Sequence, residues 1–155
     1  MQYLRPAFIL LLALATSACF GLDKWLGNPS SPSESSSTTV RSYLGTWNGP
    51  IITSYPTAQS CGNMQWKITS QTGSQMSGEF KATCADGTTL VGTVVASDGD
   101  TAIQWAATGT ATSASGSCPF SLNGNGTFQG TSNILVTYAG TVCSLLVSGS
   151  ETIKR

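Results

Sequence analysis

The sequence contains no histidine. That removes the commonest general base and the commonest metal ligand. Charge is scarce as well: 9% of residues, seven basic against seven acidic. Nucleic-acid binding needs clustered Lys and Arg, so no nucleic-acid partner is expected. The acids from residue 43 onward, Glu79, Asp86, Asp98, Asp100 and Glu151, form no paired-carboxylate spacing. Asp86, Asp98 and Asp100 stand beside glycines, where aspartate serves turns. The "DGD" of 98–100 lacks the further ligands that calcium needs. No glycine-rich loop precedes a helix, and the serines sit in loops without a base. The chain is therefore expected not to be an enzyme and to use no metal or cofactor. A spanning helix is also missing. The longest apolar run, "AFILLLALA" at Ala7–Ala15, falls far short of the ~20 residues that cross a bilayer.

That run has the length and flanks of an export signal instead. Arg5 precedes it, and small residues Thr16, Ser17 and Ala18 lead to Cys19. The stretch resembles the bacterial lipobox, in which the signal is cut before a cysteine that then carries lipid. Thr16 stands where that family usually has leucine. The resemblance implies a signal peptide at 1–18, a lipid anchor on Cys19 and a place in the bacterial cell envelope. Phe20, where an aspartate would retain the protein at an inner membrane, implies the outer membrane. Ordinary cleavage after Ala15 or Ala18, giving a secreted protein, is the alternative. Cysteine parity agrees with the lipoprotein reading. Of five cysteines, removing Cys19 leaves four, an even number suited to two disulfides in an oxidising compartment. Residues 19–42 then form the lipidated cysteine and a linker. Its "NPSSPSESSSTT" has nothing with which to build a core.

From residue 43 the pattern has period two. Met64, Trp66 and Ile68 alternate with Gln65, Lys67 and Thr69, and Met76, Gly78, Phe80, Ala82 and Cys84 alternate with polar residues. This is the signature of half-buried strands. Eight strands are expected, near 44–53, 62–71, 76–84, 88–97, 101–108, 118–129, 132–139 and 142–154. Short connections such as "TGSQ", "ADGT" and "AGT" join neighbours as antiparallel hairpins. The expected fold is all-β over 43–155: an eight-stranded antiparallel up-and-down β-barrel, a meander whose closure removes both edges. An open sheet or a sandwich is the alternative. Inward glycines at 78, 92, 124 and 126 favour the barrel, because strands need glycine where they coil sharply.

Strand direction places Cys61, Cys84, Cys118 and Cys143 at one end, with the two longest loops, "SYPTAQS" and "GTATSASGS". Reflection about "TGSQ" sets Cys84 opposite residue 63, close to Cys61. Cys61–Cys84 is therefore expected, leaving Cys118–Cys143, although four cysteines allow three connectivities.

"GTW" at Gly45–Trp47 resembles the Gly-x-Trp motif of the calycins, the lipocalin- and avidin-like barrels. The resemblance implies that Trp47 closes the barrel floor under a basic residue late in the last strand, here Arg155 or Lys154. It also implies a cup for an apolar small ligand, lined or rimmed by Trp66, Phe80, Trp105, Phe120 and Tyr138. The competing expectation is a protein-binding envelope lipoprotein, for example a hydrolase inhibitor, acting through its disulfide-clamped loops with Tyr55–Pro56 at the centre of the first. A packed interior would favour the loops, and an apolar void of about 300 Å³ or more a ligand.

Overall fold

The computed structural model describes residues 41–155. Cys19, the signal segment 1–18 and most of the 19–42 linker lie outside the described residues. Eight strands follow one another: β1 (Gly45–Asn48), β2 (Cys61–Thr72), β3 (Gln75–Cys84), β4 (Thr89–Asp98), β5 (Ile103–Ser113), β6 (Gly116–Gln129), β7 (Asn133–Val142) and β8 (Leu145–Lys154). Each pairs antiparallel with its sequence neighbour, and β8 returns to β1, so the strands form a ring. No helix occurs among the described residues.

The alternation read from sequence is the alternation of burial. Met64, Trp66 and Ile68 of β2, Phe80 and Ala82 of β3, and Leu90 and Val94 of β4 all point inward and are buried. Two glycines show why the sheet can curl this tightly. A Cβ on Gly78 would run into the Lys67 carbonyl oxygen of β2, and one on Gly124 into the Thr137 carbonyl of β7. Any side chain there would force the strands apart.

Three boundaries differ from expectation. β1 stops at Asn48, and residues 49–60 form a loop over the ring. β5 runs on to Ser113, so most of "GTATSASGS" is strand, and the turn to β6 is only Ala114–Ser115. Its Thr and Ala residues continue the pairing, with Thr110 opposite Pro119 and Ala111 opposite Cys118. The β7–β8 turn is likewise two residues, Cys143–Ser144, both with positive φ (51° and 70°). Positive φ at both central positions matches the twist of a tight hairpin, but neither residue is the glycine or asparagine that tolerates it cheaply.

Cys61 pairs with Cys84 and Cys118 with Cys143. The cysteine reflection missed by two residues because β2 carries two register shifts, between Ile68 and Ser70 and between Gly62 and Gln65. Each bulge displaces the register by one, moving the partner of Cys84 from 63 to 61. Asn63 takes φ 51° within the second. The two crosslinked segments, with sequence separations of 23 and 25, do not overlap. Each should stabilise the domain by about 3 kcal/mol on the loop-entropy model.

Candidate functional site

At the end of the ring where the chain enters, Trp47 is 3% exposed. Its indole N–H donates to the Tyr43 carbonyl at 2.8 Å, and the Arg155 guanidinium carbon lies 5.6 Å from its ring centroid. Arg155 also donates to the carbonyls of Ser42 (3.0 Å) and Leu44 (3.2 Å). Gly45, with φ 116°, lets the chain turn into β1. Tyr43, which sequence reasoning passed over, lies at the same end of the ring. It packs near Trp47 and Phe128, and its hydroxyl donates a hydrogen bond to the Asp98 carboxylate. Burial, and then the Asp98 hydrogen bond, push its pKa up. Arg41 stacks on Phe128 at 3.7 Å. A cleft of about 530 Å³ opens beside these residues, lined by Arg41, Asp98, Asp100 and Phe128 among others.

The five residues expected to line a ligand cup are all buried. Four meet one another. Trp66 and Trp105 have ring centroids 5.1 Å apart, Phe80 and Trp105 6.1 Å, and Phe80 and Phe120 5.7 Å. Met64, Leu90, Leu122 and Val136 fill around them. Trp66, Phe80 and Phe120 line none of the surface clefts described here. Among the described residues, the indole N–H groups of Trp66 and Trp105 have no hydrogen-bond partner.

Tyr138 does something different. Its hydroxyl crosses Gly149, where a Cβ would strike it, and reaches β2. There it accepts from the Cys61 N–H at 2.6 Å and donates to the Cys61 carbonyl. The reason lies in the short first strand. β1 and β8 share a single pair, Asn48 with Lys154, so towards the disulfide end β2 and β8 face each other across a seam with no strand between them. Side chains sew it. Glu151, 7% exposed, accepts from the Asn63 and Met64 N–H groups, each at 2.9 Å. It fits because Gly49 has no Cβ; one there would strike its carboxylate, while one on Gly62 would strike the Ile52 side chain of the loop. Burial raises the Glu151 pKa, and the N–H bonds from Met64 and Asn63 pull the other way. The loop 49–60 covers the seam. Asn63 holds it, accepting from the Ile52 N–H at 2.6 Å and donating to the Tyr55 hydroxyl at 3.3 Å, and the Ser148 N–H donates to the Gln59 carbonyl at 3.2 Å.

All four cysteines lie at this end. Two of the clefts beside the loop lie here as well. One, about 330 Å³, is the seam cleft, with Ile52, Tyr138 and Glu151 in its wall. The other, about 380 Å³, is lined by Ala58, Cys84, Val142, Cys143, Leu145, Leu146 and polar neighbours. Leu145 and Leu146, at the tip of the strained Cys143–Ser144 turn, are 67% and 76% exposed, and Ile51 of the loop is 92% exposed. The disulfide to β6 pins that turn. By strand parity Leu145 falls on the same face as Val147, yet only Val147 is buried, because Leu145 opens the strand above the rim. Among the described residues, no three His, Cys, Asp or Glu side chains gather to hold a metal ion. Comparisons with protein-family models, with curated proteins and with solved structures found no match.

Proposed function

We propose that the chain is an exported lipoprotein, anchored by lipid on Cys19 to the bacterial outer membrane. On this reading its strands form an up-and-down barrel of calycin type, with the Trp47–Arg155 contact as the floor. Its task is to bind another envelope protein through the disulfide end. The observation that carries this is the pair Leu145–Leu146. Two large apolar side chains stand in solvent on a turn locked by a disulfide, beside a cleft walled by apolar residues. Two adjacent exposed leucines on a locked turn suit a preorganised contact, because little entropy remains to be lost on binding. The buried aromatics support the same choice, since Trp66, Phe80, Trp105 and Phe120 contact one another where a guest would sit.

A photo-crosslinking residue placed at Leu146 in cells tests this. One protein should be captured there and not from Val95, an exposed apolar position on the side wall. Equal capture at both positions, or none at Leu146, would overturn the reading. The anchor is tested separately: Cys19→Ser should move the protein from the membrane fraction to the supernatant, and an unchanged distribution would refute lipidation. A small apolar ligand remains a second reading because the 380 Å³ cleft is within the size range of ligand pockets. Stoichiometric binding of a fluorescent fatty-acid analogue, abolished by Leu146→Ser, would favour it.

A further inference from the structure

We propose that the seam cleft binds an organic cation, an alkylammonium or guanidinium group, on the Glu151 carboxylate. This site lies on the other side of the loop 49–60 from Leu145 and Leu146, and it does not depend on the docking role given to them. Glu151 is a buried carboxylate that lines a cleft of about 330 Å³. Each oxygen accepts one backbone N–H, whereas a carboxylate has about four acceptor directions. Half its capacity is therefore unused. No cation offsets its charge: among the described residues the ion pair is Lys67–Glu79, on the outer face. An ionised group in such a position is stabilised most by an opposite charge brought to it out of water.

The rest of the cleft suits such a guest. Among the described residues, no Lys or Arg lines it. Ser54, Ser60 and Tyr138 supply hydroxyl oxygens, and Pro50, Ile52 and Pro56 supply apolar wall for methylene groups. The groups that face Glu151 from the packed elements are neutral at pH 7: the Tyr55 phenol of the loop and the Tyr138 phenol of β7, both with pKa values raised chiefly by burial. Gly49 leaves room for the carboxylate, and Gly62 leaves room for the Ile52 wall. The cleft thus sets a buried carboxylate with unused acceptor capacity beside an apolar wall, the arrangement that takes a charged head on an alkyl stem.

The probe is n-butylammonium chloride, titrated into the folded protein at pH 7 and followed by amide NMR shifts. The expected result is a saturable shift confined to residues around the cleft, Asn63, Met64 and Gly149 among them. n-Butanol and sodium chloride of equal ionic strength should not reproduce it. An identical shift with butanol would make the cleft merely apolar, and one with sodium chloride would make the effect generic screening. Either result, or no saturable shift, would overturn the proposal. Glu151→Gln should weaken binding about tenfold or more. Because that variant also alters the seam, the wild-type arms decide the case if it fails to fold. A free amine and a lysine side chain share this chemistry. A short peptide with a central lysine that binds more tightly than butylammonium would identify a protein source, and equal affinity a free amine.

Discussion

Replacing Tyr138 with phenylalanine should unfasten the seam while leaving the core filled. The Cα atoms of Cys61 and Cys84 lie 3.8 Å apart, the close approach of a non-hydrogen-bonded pair in an antiparallel ladder. At such a pair the N–H and C=O of Cys61 face away from β3, towards the missing β1. The Tyr138 hydroxyl satisfies both. Phenylalanine keeps the ring, so no cavity forms and the cost is polar alone. A buried backbone group left unpaired costs about 1–3 kcal/mol. Two are released, and water from the adjacent cleft can reach part of the gap. The expected loss is therefore about 2–4 kcal/mol, a sizeable share of a small domain's stability. Urea unfolding at pH 7 with both disulfides intact, followed by tryptophan fluorescence, measures it as a fall in midpoint at constant slope. A loss below about 0.5 kcal/mol would show that these groups find other partners, and the account of the seam would be wrong. Gly149→Ala offers a second approach, since the added methyl would displace the same hydroxyl. Its effect should overlap with that of Tyr138→Phe, making the double variant less than additive.

Other consequences are open to the same measurement. Trp47→Ala should cost about 3–5 kcal/mol through the cavity it leaves, while Arg155→Ala, which removes a contact at an exposed position, should cost about 0.5–1 kcal/mol; similar losses for the two would refute the floor as described. Ser144→Gly should raise stability by about 1 kcal/mol by relieving a φ of 70°, and a loss would mean that the Ser144 side chain makes a contact outweighing the strain. The Glu151 pKa is raised above its ordinary 4.5, so the folded state holds this proton more tightly than the unfolded state does. Its contribution is then fully present below about pH 4.5 and is lost as pH rises through the folded value. The stability difference between wild type and Glu151→Gln should accordingly shift against the wild type as pH rises above about 4.5, and a shift in its favour would reverse the sign argued here.

Much of this architecture was legible before any coordinates, and the reasons are local. Period-two alternation in "MQWKITSQ" and "MSGEFKATC" identified both the strands and their inward faces, because a single-walled ring buries one face of every strand. Cysteine placement at one end followed from strand parity alone. What could not be read was register. A bulge inserts a residue without any consistent mark on composition, and two of them in β2 moved the partner of Cys84 by two positions. The end of β1 was hidden for a related reason. "PIITS" has the composition of a strand, yet Pro50 has no N–H to give to a ladder, and the segment instead runs over the seam.

The seam residues were missed through a reading that weighed residue type over position. On the inward row of β8, Val147, Gly149, Glu151 and Ile153 follow one another, and Glu151 breaks an otherwise apolar row. An acid at a core parity must find donors or become neutral. Donors become available where a neighbouring strand ends early and leaves N–H groups unpaired. Pro50 ending β1, a glycine on each facing segment (Gly49 and Gly62) and a lone inward acid on β8 are three marks of one event, the gap in the ring. Tyr138 belongs with them. It was grouped with Trp66 and Phe80 as a cup aromatic, but its partner on β8 is Gly149, and a tyrosine opposite a glycine has room to carry its hydroxyl across the strand. The features that looked like exceptions to the strand pattern are therefore what closes the ring where its first strand is too short to do so.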